Sequence, residues 1–320
     1  MLPGSGKGGL NRTRLAFTWK PCHNEPQSLG ERVMPLLRRN FLQAALGLGI
    51  APLIAGRAAA RADREGADAM AKDVVMIHGA NEGGWCFDQF KAVFDELGWT
   101  CHAPDLIGHG LKADEKGAAL VGVGMADYLN ELEVFLKTVA PQPVLLGHSM
   151  GAVLAQQLAA KGLARALVLV CPAPRAGILP QTDGEKQLGQ DLMGLGVFWK
   201  TVINPDFDLA RVLSLNCIPD AEQRAVFDKF GPESGRAFFE LFFWMFDATG
   251  ASAVNTSAVS CPVLCVAGAE DKMVSLETVR ATTAGYSGAA FWELQGRGHM
   301  LVLEPGAEEI ARRIALWLPT

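Results

Sequence analysis

Three features are missing from this 320-residue chain, and each absence removes a class of function. No cysteine spacing suits a metal: Cys261 and Cys265 stand four apart within one β-like run, and Cys22, Cys86, Cys101, Cys171 and Cys217 are scattered. No metal is therefore expected. Residues 41–55 form an apolar run, but it is too short to span a bilayer. A basic stripe is also missing. Residues 1–62 carry a net charge of +7 within a total of −5, which leaves −12 for residues 63–320. An acidic body of that kind argues against nucleic acid as a partner. Internal repeats and low-complexity tracts are lacking too. Six cysteines follow residue 62, an even number that permits disulfides. Cys101, Cys171, Cys261 and Cys265 nevertheless lie in or beside apolar runs, where a thiol behaves as a small hydrophobe, so no essential disulfide is expected.

What the chain does contain begins with a leader. Arg38 and Arg39 precede the apolar run at 41–55, whose single polar member is Gln43, and the small residues Ala58, Ala59, Ala60 and Ala62 follow. Paired arginines, a mildly apolar core and a small-x-small site look like a twin-arginine export signal cleaved after Ala60 or Ala62. The implied partner is the twin-arginine translocase, and the implied destination is the periplasm or the exterior, with no stable membrane span after cleavage. Residues 1–33 show no periodicity and read as an over-extended reading frame, since Met34 stands only four residues before Arg38.

Beyond the leader, short apolar runs alternate with helical spacing. Runs at 74–77, 100–104, 144–146, Ala166–Val170, 263–266 and Ala290–Leu294 predict strands. Phe87, Phe90, Val93, Phe94 and Leu97 recur at three-and-four spacing, as do Met125, Tyr128, Leu132, Phe135 and Val139. Helices are also expected at 152–161, around Leu276–Thr283 and around Ile310, Ile314 and Trp317. Fully apolar strands alternating with helices imply an α/β fold, a mostly parallel sheet of about six strands covered on both faces. The interval from Cys171 to Cys261 is too long for a connection and contains Phe238, Phe239, Phe242, Phe243, Trp244 and Phe246. It predicts an inserted helical cap over 173–260, dividing the core into 63–172 and 261–320. Phe239, Phe242, Phe243 and Phe246 would share one helical stripe, with Phe238 and Trp244 elsewhere. These aromatics either form the core of the cap or line an apolar substrate pocket, for which Phe242 and Trp244 are the candidates.

Chemistry concentrates in Gly147, His148, Ser149, Met150 and Gly151, set between an apolar strand and an Ala-rich helix. A G-x-S-x-G sequence in that setting is a nucleophile elbow: the serine sits at a strained turn where neighbouring side chains would clash. A serine nucleophile needs a base and a group to orient it. Asp271 follows the run at 263–266, and His299 follows Ala290–Leu294, so Ser149, Asp271 and His299 occur in the required order at strand ends. Glu270 is the rival acid; the run at Ala166–Val170 is followed by Cys171, Pro172, Ala173 and Pro174, with no carboxylate. The N–H of Met150, at a helix N-terminus, and the N–H of Ala80, in the loop after the first core strand, are the candidate oxyanion donors. His78 reads as a buried scaffold residue with a smaller part in touching substrate, and His109 as a loop-packing residue.

On these stretches the chain resembles the α/β-hydrolase fold superfamily over roughly residues 72–319. The matched motifs are His78-Gly79-Ala80, the run from Pro104 to Gly110, Gly147-x-Ser149-x-Gly151, Gly268 with Asp271, and Gly298-His299-Met300. The resemblance implies Ser149, Asp271 and His299 as a triad, with Ala80 and Met150 as the oxyanion hole. Ala152 stands where many relatives carry another glycine. Once the expected leader is removed, the mature chain begins only about ten residues before the first core strand, so the protein looks similar to the compact branch of plant methylesterases, hydroxynitrile lyases and bacterial pyrethroid-type esterases. Gly83, Gly84, Trp85, Cys86 and Phe87 also suggest that branch, with Trp85 a candidate substrate contact. The expected activity is an exported, cofactor-independent serine esterase acting through an acyl-enzyme on a small ester with an apolar portion. Alternatives are a lactone or amide hydrolase on the same triad, a hydroxynitrile-lyase-like C–C lyase, and a non-catalytic ligand-binding protein. Against the lyase, such enzymes of this fold place lysine directly after the histidine, where this chain has Met300.

Overall fold

A computed structural model describes residues 72–110 and 113–319. The expected leader (1–62), its arginine pair and the first residues of the mature chain lie outside the described residues.

Alternation within the apolar strands builds the protein from its centre outward. In β1 (Asp73–Ile77), β2 (Thr100–His102), β3 (Val144–His148) and β4 (Ala166–Val170), successive side chains point to opposite faces of the sheet. Val75, Ile77, Leu145, Leu167 and Leu169 enter one core, while Val74, Met76, Val144, Leu146, Val168 and Val170 enter another. No face is left polar, so helices must cover both. α1 (Asp88–Glu96) and the last helix, Ala307–Trp317, close one side through Phe90, Val93, Phe94, Ile310 and Ile314. The other side is covered by α3 (Met125–Leu136), which follows α2 (Ala113–Leu120), and by α4 (Met150–Ala160). α4 is buried nearly all round, as its Ala-rich sequence permits.

After β4 come α5 (Asp183–Gly194), β5 (Val202–Ile203), α6 (Phe207–Leu213), α7 (Asp220–Phe227), β6 (Glu233–Ser234) and α8 (Gly235–Phe242). The chain then returns to the sheet as β7 (Val263–Gly268), α9 (Leu276–Thr283), β8 (Ala290–Leu294) and α10 (Ala307–Trp317). The fold is that of an α/β hydrolase, a six-stranded sheet in the order β2-β1-β3-β4-β7-β8, all of whose pairings are parallel. β5 and β6 pair separately and antiparallel within the insertion. The chain moves outward from β1 to β2, then crosses back to β3. That reversal opens a crevice at the carboxyl ends of β1 and β3, where ligands bind in open α/β sheets.

One expectation is corrected. The aromatic stripe from Phe239 to Phe246 is not one helix: α8 ends at Phe242, Phe243 adopts φ −117° and ψ 32°, and Trp244–Phe246 is a separate 3-10 turn. Regular aromatic spacing carries no information on where hydrogen bonding stops. Past the 3-10 turn the chain folds into a tight bend, where the Asp247 carboxylate accepts the N–H groups of Thr249 and Ala251 at 2.9 and 2.8 Å. Phe246, off the helix, is 70% exposed.

Candidate active site

The sharp turn after β3 leaves Ser149 at φ 50° and ψ −118°, a conformation that costs a non-glycine residue about 1–3 kcal/mol. The turn is held from three sides: Ser149 N–H donates to Val170 O, and its carbonyl accepts from Ala152 and Ala173. The flanking glycines are obligatory. A Cβ on Gly151 would sit 2.2 Å from the Ile77 carbonyl oxygen, and one on Gly147 would sit 2.5 Å from Gly151 O.

Ser149, His299 and Asp271 come together as a hydrogen-bonded chain, although 150 positions separate the first two. His299 Nε2 lies 3.1 Å from Ser149 Oγ, and Nδ1 lies 2.8 Å from Asp271 Oδ2. An ionised carboxylate only accepts, so the Nδ1 proton faces Asp271 and Nε2 is left to accept from the serine hydroxyl. Asp271 is itself fixed, because its Oδ1 accepts from the N–H groups of Met273 and Val274 at 2.8 Å each. Asp271 and His299 are buried. The rival Glu270 points elsewhere, its carboxylate 3.8 Å from Lys272 Nζ.

The loop after β1 runs alongside. A Cβ on Gly79 would lie 2.9 Å from Ser149 Cβ, and the next residue, Ala80, is half-buried. Met150, buried, opens α4 directly after Ser149. His78 is fully buried, with Nδ1 donating to Gly79 O at 2.8 Å and Nε2 accepting from Leu106 N–H at 3.0 Å. Burial, and then the nearby His109, hold its pKa down at about 4. With both nitrogens committed, His78 shapes the loop from beneath. Trp85 is half-buried, its ring 6.2 Å from that of Phe230 and under the ammonium of Lys229. Phe242 and Trp244 line an apolar cleft with Pro174, Ile178, Leu241 and Met273, and Trp244 Nε1 donates to Ile178 O. Pro174 and Met273 tie that cleft to the ends of β4 and β7, within three residues of Cys171 and Asp271.

Two charged groups beneath the site were not singled out from sequence. Glu82, buried, accepts from Gly79 N–H and faces His148 Nδ1, both at 3.0 Å. Burial pushes the Glu82 carboxyl up, but the charge and hydrogen bond of His148 outweigh it and hold the pKa at about 2. Conversely, burial lowers His148, and Glu82 more than reverses the effect, so its pKa is raised. In sequence, His148 is the variable position of the elbow and Glu82 one polar residue in a glycine-rich loop. Nothing local marks them as partners. Among the described residues, one trio could in principle hold a metal, Cys171 with Asp271 and His299. Burial raises the Cys171 thiol well above its usual range, which keeps it protonated and a poor ligand.

The pattern of the alpha/beta hydrolase family matches residues 74–313, and the chain belongs to that family. A pyrethroid hydrolase from Sphingobium wenxiniae is 34% identical over 114 residues, 34% of this chain and 39% of that protein. The match thus spans about two fifths of the length of that relative. Among solved structures, tomato methylketone synthase I superposes with a TM-score of 0.60 at 15% identity, covering 77% of this chain and 97% of that one. The methylesterase MES16 from Arabidopsis superposes at 0.57 with 16% identity, covering 78% and 100%. Both likenesses are of fold. Among the described residues, no helix is long and apolar enough to cross a membrane.

Proposed function

We propose that this alpha/beta hydrolase is a serine esterase that cleaves a carboxylic ester with an apolar portion through an acyl-enzyme. The observation that carries the reading is the unbroken Asp271–His299–Ser149 chain at a strained turn. In this reading His299 Nε2 takes the Ser149 proton as Oγ attacks the ester carbonyl. The Ala80 and Met150 N–H groups receive the developing oxyanion, and the alcohol leaves with the proton from His299. Water, deprotonated by His299, then releases the acid. Asp271 holds the ring in the required tautomer and balances the transient imidazolium.

The partial match to a pyrethroid hydrolase supports an ester substrate. The cleft bounded by Phe242, Trp244, Leu241 and Met273 supports an apolar portion, with the segment 173–260 acting as a cap. Its one carboxylate, Glu185, is already committed to Ser275 N–H at 2.9 Å and Thr278 Oγ1–H at 2.7 Å, so the cleft presents little free charge. Met300, buried beside His299, supplies no cation for cyanohydrin cleavage. Export through the twin-arginine route remains part of the proposal, resting on Arg38, Arg39 and the small residues at 58–62.

A panel of aryl and alkyl esters, lactones and anilides, run with and without a small organophosphonate, tests the reading. Ester turnover abolished by stoichiometric label on Ser149 is expected. Label on another residue, or no turnover of any ester, would overturn it.

A further inference from the structure

Beneath the site, a single imidazole reaches two different loops. His148 Nδ1 faces Glu82 Oε2 at 3.0 Å, and Nε2 lies 2.9 Å from the carbonyl oxygen of His299. A backbone carbonyl only accepts, so Nε2 carries a hydrogen. Glu82 Oε2 also accepts the N–H of Gly79 at 3.0 Å. Glu82 and His148 are both buried, His148 completely. The run Gly79 N–H, Glu82, His148, His299 O therefore joins the loops after β1, β3 and β8. Those three loops bring Ala80, Ser149 and His299 together.

We propose that Glu82 and His148 are positioning residues, a buried ion pair holding the Ala80 loop, the Ser149 turn and the His299 backbone in register. The proposal rests on the hydrolase reading above. Geometry and electrostatics together favour a charged pair. Nε2 must donate to the His299 carbonyl, and because Glu82 is held below and His148 above its ordinary range, each by the other, Nδ1 donates as well, to a carboxylate whose one oxygen also receives Gly79 N–H. A glutamine at position 82 breaks the set. With its oxygen turned to these donors, His148 either stays charged without a counter-ion in a buried site or surrenders one of its two bonds. With its amide nitrogen there, Gly79 N–H loses its acceptor. The pair packs directly under the loop: a Cβ on Gly79 would meet Glu82 Oε1 at 3.0 Å and His148 Nδ1 at 3.2 Å.

The test is the kcat and KM of Glu82→Gln, His148→Gln and the double variant, each expressed per Ser149 titrated with a fluorescent organophosphonate. Folding is followed in parallel by circular dichroism. Loss of register raises the barrier without removing substrate contacts, so kcat per titrated site falls by about tenfold or more while KM stays within about twofold. The double variant falls no further than the worse single one, because the two residues act as one unit. Glu82→Asp, which keeps the charge, recovers part of the rate. Folded variants whose Ser149 no longer titrates would also support the proposal. Unchanged kcat per titrated site would overturn it, as would additive losses, or variants that unfold outright and so make the pair a folding element. If wild-type Ser149 takes no label, the hydrolase reading fails instead, and that outcome is visible before any variant is made.

Discussion

The Glu233 carboxylate accepts a 2.6 Å hydrogen bond from the hydroxyl of Tyr128, a residue 105 positions earlier in the chain. Glu233 lies in the insertion and Tyr128 on α3 of the core, and both are buried. The same carboxylate meets His109 Nε2 at 3.1 Å, Ser234 N–H at 2.7 Å and Asn81 N–H at 3.4 Å. Asn81 in turn exchanges two bonds with Gly231, at 2.8 and 2.9 Å. Burial pushes Glu233 up, yet His109 and Tyr128 hold its pKa below the usual range. A buried carboxylate with every partner in place fastens the insertion to the core. Removing it strands His109 and Tyr128. Glu233→Ala should cost about 3–5 kcal/mol in urea unfolding, against about 1–2 kcal/mol for Tyr128→Phe, which deletes one bond. Equal and small losses would show that the cluster anchors nothing.

For the proposed triad, Ser149→Ala and His299→Ala should each lower kcat by about three orders or more. Combining them should add little, because such residues act as a unit. Asp271→Asn should also fall steeply, since the amide no longer dictates which ring nitrogen of His299 is protonated. Steady-state kinetics on one ester checks all three. Activity that survives in Ser149→Ala at more than a few per cent would remove Ser149 from the reaction.

Trp244 tests the apolar cleft. Truncation to Ala should lower kcat/KM for bulky apolar esters by about 1–3 kcal/mol and leave small acetate esters nearly unchanged. Because Trp244 Nε1 also donates to Ile178 O, the melting temperature must be read alongside. Equal losses on both esters with lowered melting would make the residue part of the packing and not of the substrate site.

Glu304 makes stability depend on pH. It is fully buried, with Oε1 accepting Gly298 N–H at 2.8 Å and Oε2, 4.0 Å from Arg297 Nη1, without a hydrogen-bond partner among the described residues. Burial pushes its pKa up to about 7. The folded chain therefore holds this proton between about pH 4.5 and 7, where the unfolded chain has released it, so stability falls as pH rises through that window. Glu304→Gln keeps the acceptor for Gly298 and cannot ionise. Its stability relative to wild type should improve by up to about 2–3 kcal/mol between pH 5 and pH 8, measured by urea denaturation at each pH. Parallel curves for the two proteins would acquit the carboxyl.

The leader gives the last expectation. In a bacterium with a twin-arginine system, the chain should reach the periplasm and lose about its first sixty residues. Replacing Arg38 and Arg39 with lysine should leave it uncleaved in the cytoplasm. Fractionation and N-terminal sequencing decide; export of the double-lysine protein would mean the signal has been misread.

Taken by itself, the sequence determined the sheet and the order of the site. Ala166–Val170 and Ala290–Leu294 are strands with the bounds their apolar runs indicate. Ser149, Asp271 and His299 each follow a strand at a turn, where local spacing and glycines leave few alternatives. These features are short-range: periodicity records which face is buried, and turn chemistry records where the chain reverses. Only the tertiary structure ended α8 at Phe242, and joined Glu82 to His148 and Glu233 to His109, 66 and 124 positions apart. Hydrogen bonds tolerate only a few tenths of an ångström. Which polar groups come within that reach is settled when remote elements pack, and no local pattern in the chain encodes it.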